Sequence, residues 1–152
     1  MDDLTLKHSV AVVVRGPGDG TFLVVRRPED PADPLAGAWG FPAVTLAAGE
    51  DELAGVARVG RAKMGVELRA TRRIGETAGV QGGAALRLAE YEAVITAGEP
   101  SVPQPDASVT QYTAWRYTAE PGDLAEAASR GSLCARLFLR DRAAGHAGRN
   151  GD

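Results

Sequence analysis

The segment of residues 51–64 constrains the fold of this chain more than any other stretch. Its apolar residues recur at helical spacing, and they are Leu53, Val56, Ala57 and Met64. Gly65 can end such a helix, but Gly55 and Gly60 lie inside it, and each costs about 1 kcal/mol relative to alanine. A helix with this handicap depends on tertiary packing. Its glycines predict a close approach to a sheet.

Runs of β-branched residues on both sides of that helix predict strands. The runs at residues 7–16 (KHSVAVVVRG) and 21–28 (TFLVVRRP) are joined by a glycine-rich turn, which predicts a hairpin. Further extended segments are predicted at residues 39–44, 66–78, 84–96 and 108–117, with a turn at 79–83. Two helices are predicted near the C-terminus, one over residues 121–130 and one capped by Ser132. Long loops at 29–38 and 98–107 are of the kind that borders binding sites.

Length and composition predict one globular domain. The chain has 152 residues, of which 44% are hydrophobic and 24% charged. We expect a single domain over residues 1–142 and a disordered tail over 143–152. No apolar run approaches the roughly 20 residues of a membrane span, and the acidic start does not match a signal peptide. The single cysteine, Cys134, favours a reducing cytoplasm and is expected to be a buried apolar residue.

Charge is unevenly distributed along the chain. The net charge of −3 gives no indication of nucleic acid as a partner. Between residues 58 and 73, however, one acid, Glu67, stands among six basic residues, which are Arg58, Arg61, Lys63, Arg69, Arg72 and Arg73. Residues 58, 59, 62 and 63 share one face of the predicted helix because they are three or four positions apart. Two interpretations stay open: a solvated basic face, or local attraction for an anionic ligand.

The motifs around this helix resemble those of the Nudix hydrolase superfamily. The similarity rests on WGFP at residues 39–42, on Glu50 at the helix start, on Arg58 eight residues later and on Gly65-Val66, and it covers residues 5–142. It implies an α/β fold in which a mixed β-sheet is sandwiched between helices, an α/β/α sandwich. It also implies hydrolysis of a nucleoside diphosphate linked to another group, usually with magnesium. By the same resemblance Glu50, Arg58 and Gly65 are structural residues of the family motif, the Nudix box, and Glu50 pairs with Arg58.

The sequence departs from this box where the family places its chemistry. Val59, Ala62 and Lys63 replace three glutamates that bind metal and help to activate water, while Val44 and Gly60 replace a glycine and an aliphatic residue. Magnesium requires oxygen ligands, and an ammonium group repels it. We therefore expect no metal at the usual place. Mg²⁺ enters only if a divergent hydrolase recruits ligands from among Glu50, Glu52, Glu99 and Asp106.

Three functional hypotheses follow. The first is a divergent Nudix-type hydrolase of a diphosphate-containing small molecule, a nucleotide or a relative, with weak or absent conventional magnesium-dependent activity. Its candidate catalytic residues are Glu50, Glu99 and Asp106. The second is a non-catalytic Nudix-fold module that binds a phosphorylated ligand without metal. Its candidate ligand-binding residues are Arg27, Phe41, Arg58 and Lys63. The third is metal-free chemistry with Lys63 as an acid or electrophile. The expected partner is a small phosphorylated molecule rather than a membrane, and a homodimer stays open.

Overall fold

The computed structural model describes residues 6–81 and 83–150 of the chain. Within them, seven strands form two sheets. The strands are β1 (Leu6–Val14), β2 (Phe22–Arg26), β3 (Trp39–Gly40), β4 (Ala43–Thr45), β5 (Glu67–Gln81), β6 (Ala84–Ala97) and β7 (Ala114–Thr118). The helical elements are α1 (Glu52–Arg58), a π-helical segment Val59–Met64, a 3-10 turn Pro121–Leu124, α2 (Ala125–Ser129) and α3 (Leu133–Asn150). We call α1 and the π-helical segment together the box helix.

The larger sheet is mixed. Its strand order is β4-β1-β6-β5, and β1 runs parallel to β6 but antiparallel to β4. The smaller sheet has the order β3-β2-β7 and is antiparallel. The predicted mixed sheet is therefore confirmed.

The hairpin predicted from the first two runs is wrong. β1 and β2 belong to different sheets, and the described residues show one isolated bridge near their junction, between Arg15, which follows β1, and Phe22 of β2. Both strands are buried along most of their length, so each lies centrally in its own sheet and finds its partners elsewhere in the chain. The glycine-rich turn between them redirects the chain instead of closing a ladder.

Side chains of β1 alternate between two apolar cores. Val10, Val12 and Val14 face the box helix, in a core that contains Val56 and Met64. The residues between them face α2 and α3, in a second core built around Phe41 and Phe138. Both sheets contribute residues to both cores, so the strands form a middle layer between helices. The α/β/α sandwich is confirmed.

The two glycines inside the box helix lie where the sheet comes closest. A Cβ atom on Gly55 would lie 2.8 Å from Val10 Cγ1, and one on Gly60 would lie 2.6 Å from the Val66 carbonyl oxygen. A side chain at either position would therefore clash with the sheet or with the turn leading into it. The predicted close approach is confirmed, and it explains why two poor helix formers are present.

One carboxyl group is enclosed between the larger sheet and α3. Glu90 of β6 is fully buried, and neither of its oxygens has a hydrogen-bond partner among the described residues. Burial, and then the charge of Asp141, raise the pKa of Glu90 well above its ordinary value. Cys134 is buried nearby, as predicted, and burial followed by Glu90 raises the pKa of its thiol to about 11.

Several elements begin or end at residues other than those predicted. Residues 108–113 form a loop, since β7 begins only at Ala114, and residues 79–81 belong to β5. Ser132 caps α3 through a hydrogen bond from Ala135 N to its Oγ. This helix runs to Asn150, so residues 143–150 of the predicted tail are helical, while 151–152 lie outside the described residues. The division of the chain into a domain and a tail stays a prediction. No helix in the described ranges is long and apolar enough to cross a membrane.

Candidate functional site

Glu50 and Arg58 form the contact that the resemblance implies. Arg58 Nε donates to Glu50 Oε2 at 2.8 Å, and Arg58 Nη2 donates to Glu50 Oε1 at 2.7 Å. Nη2 also donates to the Thr45 carbonyl, and Glu50 Oε1 accepts from Ala47 N. The hydrogen bonds from Arg58 hold the pKa of Glu50 below its ordinary value. Together these bonds fasten the turn before α1 to the end of that helix.

The remaining box positions are buried. Val59 is fully buried in the core beneath the box helix, and Ala62 is also buried. Lys63 is only 3% exposed although it carries an amine. The interpretation of this face as a solvated basic surface is therefore wrong at Lys63, because neighbouring elements cover it.

Residues 98–113, the loop between β6 and β7, cover the last turns of the box helix. Gln111 Nε2 donates to the Ala62 carbonyl at 3.0 Å, and Ser101 N donates to the Met64 carbonyl at 3.0 Å. Lys63 Nζ donates to the Thr110 carbonyl. The first two bonds satisfy carbonyl groups near the end of the helix, and the third gives the Lys63 amine an acceptor. They also place protein backbone over the positions where the family box carries carboxylates.

A cleft of about 620 Å³ opens beside this loop. One wall comes from the starts of β1 and β6, from β3 and β4, and from the segment that follows β2. The other pieces are the box helix, residues 108–110 and the junction of α2 with α3. The predicted ligand-binding residues all line it, and they are Arg27, Phe41, Arg58 and Lys63. The fold thus brings the four together, while their role in binding stays a prediction.

The cleft carries more positive than negative charge. Its basic lining residues are Lys7, Arg27, Arg58 and Lys63, and its acidic ones are Asp30 and Asp33. Arg27 donates from Nε to Asp33 Oδ2 at 2.6 Å, which leaves the two terminal nitrogens of its guanidinium for another acceptor. Phe41 is 4% exposed, with its ring centroid 4.9 Å from that of Phe138. It therefore forms a wall of the cleft rather than a free stacking surface.

The amine of Lys63 lies in a low-dielectric environment. Its Nζ is 4.8 Å from the centroid of the Tyr112 ring, and that ring is fully buried. Burial, followed by the charges of Arg27 and Arg58, lowers the pKa of Lys63 to about 8. Asp106 opposes this shift only weakly. At neutral pH the ammonium form therefore predominates, and it is poorly hydrated.

The three candidate catalytic carboxylates are not brought together. Glu50 and Asp106 line a second groove, of about 540 Å³, together with Arg58. Asp106 accepts hydrogen bonds from the backbone N and hydroxyl of Ser108, and these lower its pKa. Glu99 is exposed and lines neither this groove nor the cleft. The assignment of catalytic roles to these residues stays a prediction.

The acceptors that hold the basic groups were not predicted from the sequence. Thr110 and Gln111 lie in a segment predicted to be a strand, and no sequence signal indicates that a loop carbonyl accepts from Lys63. Asp33 was more accessible to prediction. It belongs to the acidic stretch EDPADP at residues 29–34, which begins just after Pro28 and so lies close to Arg27 in sequence. A carboxylate in this stretch can fold back onto the guanidinium.

Comparison with known proteins identifies the fold. No protein-family model and no curated protein matches the sequence. The structure is similar to that of a Nudix hydrolase from Nitrosomonas europaea, with a TM-score of 0.73 and 16% identity, covering 93% of this chain and 90% of that one. A MutT protein from Methanosarcina mazei Go1 gives a TM-score of 0.70 and 16% identity, with coverages of 95% and 99%. An ADP-ribose pyrophosphatase from Streptococcus suis gives 0.53 and 13%, with coverages of 73% and 72%. At these identities the similarity establishes the fold alone: the chain has the Nudix fold.

This fold implies magnesium, because Nudix hydrolases generally use Mg²⁺. The residues present do not fit the ion at the box. Three positions of the family box carry glutamates that bind the metal. Val59 and Ala62 offer no oxygen ligand at two of them, and Lys63 places a positive charge at the third. Within residues 6–81 and 83–150, no group of three histidine, cysteine, aspartate or glutamate side chains is placed to hold a metal ion.

Proposed function

We propose that this chain is a Nudix-fold module that binds a phosphorylated small molecule, a nucleotide or a related diphosphate, without a metal. Conventional magnesium-dependent hydrolysis is weak or absent. The observation that carries the proposal is the replacement of a box carboxylate by the Lys63 ammonium in a cleft that also contains Arg27 and Arg58. A site that lacks metal ligands but offers three cations holds phosphate oxygens directly.

Size and electrostatics support this ligand class. A cleft of about 620 Å³ suits a small molecule. Arginine presents planar donors that match phosphate oxygens, and a poorly hydrated ammonium loses less water when it binds an anion. The neighbour named an ADP-ribose pyrophosphatase has the same fold, which supports a diphosphate-containing ligand here. The single cysteine supports a reducing, cytoplasmic setting. A homodimer stays an open alternative.

A second candidate is a divergent hydrolase, the first hypothesis from sequence. It is favoured by one observation: Glu50 and Asp106 line the same groove as Arg58, so two carboxylates border a basic group. Such an enzyme would hold Mg²⁺ with these acids rather than at the usual box positions. Because Arg58 already occupies both oxygens of Glu50, Asp106 is the less engaged of the two ligands.

Calorimetry with inorganic pyrophosphate and ADP-ribose separates the two candidates. We expect binding in the presence of a chelator and little change on adding magnesium. Replacing Lys63 by Met removes a charge-assisted contact worth about 1.5 to 3 kcal/mol, which weakens binding by roughly 10- to 150-fold. Arg69→Met changes the net charge equally at an exposed position outside the cleft and should leave binding within about threefold.

Two results of the calorimetry would contradict metal-free binding of a diphosphate. If wild-type protein binds only when magnesium is present and releases phosphate products, the divergent hydrolase is the better account. If neither ligand binds under either condition, a diphosphate is not the ligand of this cleft. Circular dichroism of Lys63→Met establishes that any loss of binding is not a loss of fold.

A further inference from the structure

Lys63 is buried more deeply than the binding of an anion requires. Its side chain is nearly inaccessible, and in the described part of the chain its hydrogen-bond partner is the Thr110 carbonyl rather than a carboxylate. Arg58 and Arg27, by contrast, each have a carboxylate partner. The amine also lies against the face of the Tyr112 ring. Lys63 is therefore a desolvated amine on which the charges of Arg27 and Arg58 act, opposed more weakly by that of Asp106.

Desolvation and adjacent cations are the two conditions that activate a lysine as a nucleophile. Both favour the neutral amine, and with a pKa of about 8 roughly one amine in ten is unprotonated at pH 7. In its neutral form the nitrogen has two N–H groups and one lone pair. The Thr110 carbonyl accepts from one N–H, which leaves the lone pair outside this hydrogen bond, and Lys63 lines the cleft.

We propose that Lys63 is a nucleophilic amine that forms an imine with a phosphorylated aldehyde or ketone, whose phosphate is held by Arg27 and Arg58. This inference rests on the proposed anion-binding function and specifies its ligand class. The nitrogen lone pair attacks the carbonyl carbon, the carbonyl oxygen takes up both amine hydrogens, and it leaves as water when the C=N bond forms. No electrons are gained or lost, so no co-reactant is required.

The composition of the chain makes this proposal unusually testable. Only two lysines are present, Lys7 and Lys63. Lys7 lies at the exposed start of β1 and lines the same cleft, so it experiences the same local ligand concentration. It lacks the burial that distinguishes Lys63. Every labelling experiment therefore contains its own reference amine.

The test uses pyridoxal 5′-phosphate as the probe and borohydride as the trap. Borohydride adds hydride to the imine carbon and converts a reversible adduct into a stable amine, which intact mass and peptide mapping then locate. We expect one adduct, on Lys63, at least tenfold in excess over Lys7 at pH 8. Pyridoxal without its phosphate should label Lys63 at least tenfold less. Labelling should rise as the pH passes through about 8.

Two variants and one competitor complete the test. Lys63→Arg should abolish the adduct, and Lys7→Arg should leave labelling of Lys63 unchanged. Inorganic pyrophosphate should protect Lys63 in the wild-type protein, a result that does not depend on any variant folding. Adducts on Lys7 alone, or equal labelling of both lysines, would overturn the proposal.

Failure of this inference is distinguishable from failure of the proposed function. If calorimetry shows pyrophosphate binding without metal while borohydride traps nothing on Lys63, the anion site stands and the nucleophile does not. If Lys63 is labelled by pyridoxal as readily as by its phosphate, the amine is reactive but the phosphate contacts of Arg27 and Arg58 are wrong. Absence of both pyrophosphate binding and trapping refutes both.

Discussion

Arg58 and Lys63 lie on the same stretch of helix, yet they are held in opposite ways. Arg58 has a carboxylate partner that takes two of its hydrogen bonds, and its side chain remains 32% exposed. Lys63 is enclosed and donates to a backbone carbonyl. The first residue fastens a turn to a helix. The second keeps an unneutralised amine inside the protein, which costs stability unless a ligand or a reaction uses it.

Replacing Arg58 by Ala should destabilise the fold by about 2 kcal/mol, because Glu50 and the Thr45 carbonyl lose charge-assisted hydrogen bonds. Partial exposure keeps the loss below the roughly 3 to 5 kcal/mol of a fully buried ion pair. Urea denaturation measures the difference.

Arg61→Ala is the matched control, because Arg61 makes a similar bidentate pair with Glu67 at an exposed position. It should cost clearly less than Arg58→Ala, because water screens an exposed ion pair. Equal losses in the two variants would contradict a structural role for the Glu50–Arg58 pair.

At the scale of elements, the box helix is shaped by what lies on either side of it. On the face towards the sheet, Gly55 and Gly60 let the helix approach β1 and the start of β5 closely. On the opposite side, residues 98–113 cover the helix and donate to its backbone carbonyls. Its second half is π-helical, and such segments often occur at functional sites. The helix is therefore fixed from two directions, which accounts for its stability despite poor intrinsic propensity.

Introducing a methyl group at Gly60 tests the inner contact. In Gly60→Ala the new Cβ would lie 2.6 Å from the Val66 carbonyl oxygen and 2.8 Å from Leu68 Cγ. We expect a loss of about 1 to 3 kcal/mol from overpacking, which outweighs the gain in helix propensity. Gly122→Ala is the control, since a Cβ there meets no atom within 4 Å, and it should be neutral or slightly stabilising. Thermal unfolding of both variants decides the question, and a stabilised Gly60→Ala would show that the contact has room to relax.

Periodicity allowed these elements to be predicted wherever the pattern is local. The helical stripe of residues 51–64, the extended runs that form β5 and β6 and the cap at Ser132 all depend on neighbours a few positions apart. The pairing of β1 and β2 could not be found this way, because their partners are distant in sequence. The Glu50–Arg58 contact followed from the resemblance. The cover over Lys63 did not, because a backbone carbonyl can be supplied by any residue type.

At the scale of the molecule, two apolar cores lie on opposite sides of one layer of strands. The core facing α2 and α3 borders Glu90, whose carboxyl group has no partner among the described residues. A neutral acid is tolerated in such a place, but a carboxylate is not. The stability of the whole fold is therefore linked to the proton on this residue.

Stability should fall as this proton is lost. The folded-state pKa of Glu90 is raised above 4.5 by burial and by Asp141. The stabilisation is thus fully present below about pH 4.5 and is lost as the pH rises through the raised pKa. Relative to Glu90→Gln, which cannot ionise, the wild-type free energy of unfolding should decrease as the pH rises above about 4.5, until Glu90 ionises in the folded chain as well. Urea titrations across this range measure it, with exposed Glu99→Gln as a control that should parallel the wild type. A constant difference between wild type and Glu90→Gln would mean that Glu90 keeps the same protonation state in the folded and unfolded chain.

The pairing of β1 with β6 also sets the order in which the chain can fold during synthesis. β1 finds its parallel partner between Ala85 and Ala93, and β2 finds its antiparallel partner in β7. Both central strands therefore leave the ribosome long before the segments that complete their sheets. Contacts of such long range close slowly, and two very apolar strands stay unpaired in the meantime. The nascent chain is thus most exposed to aggregation or chaperone capture until β7 has emerged.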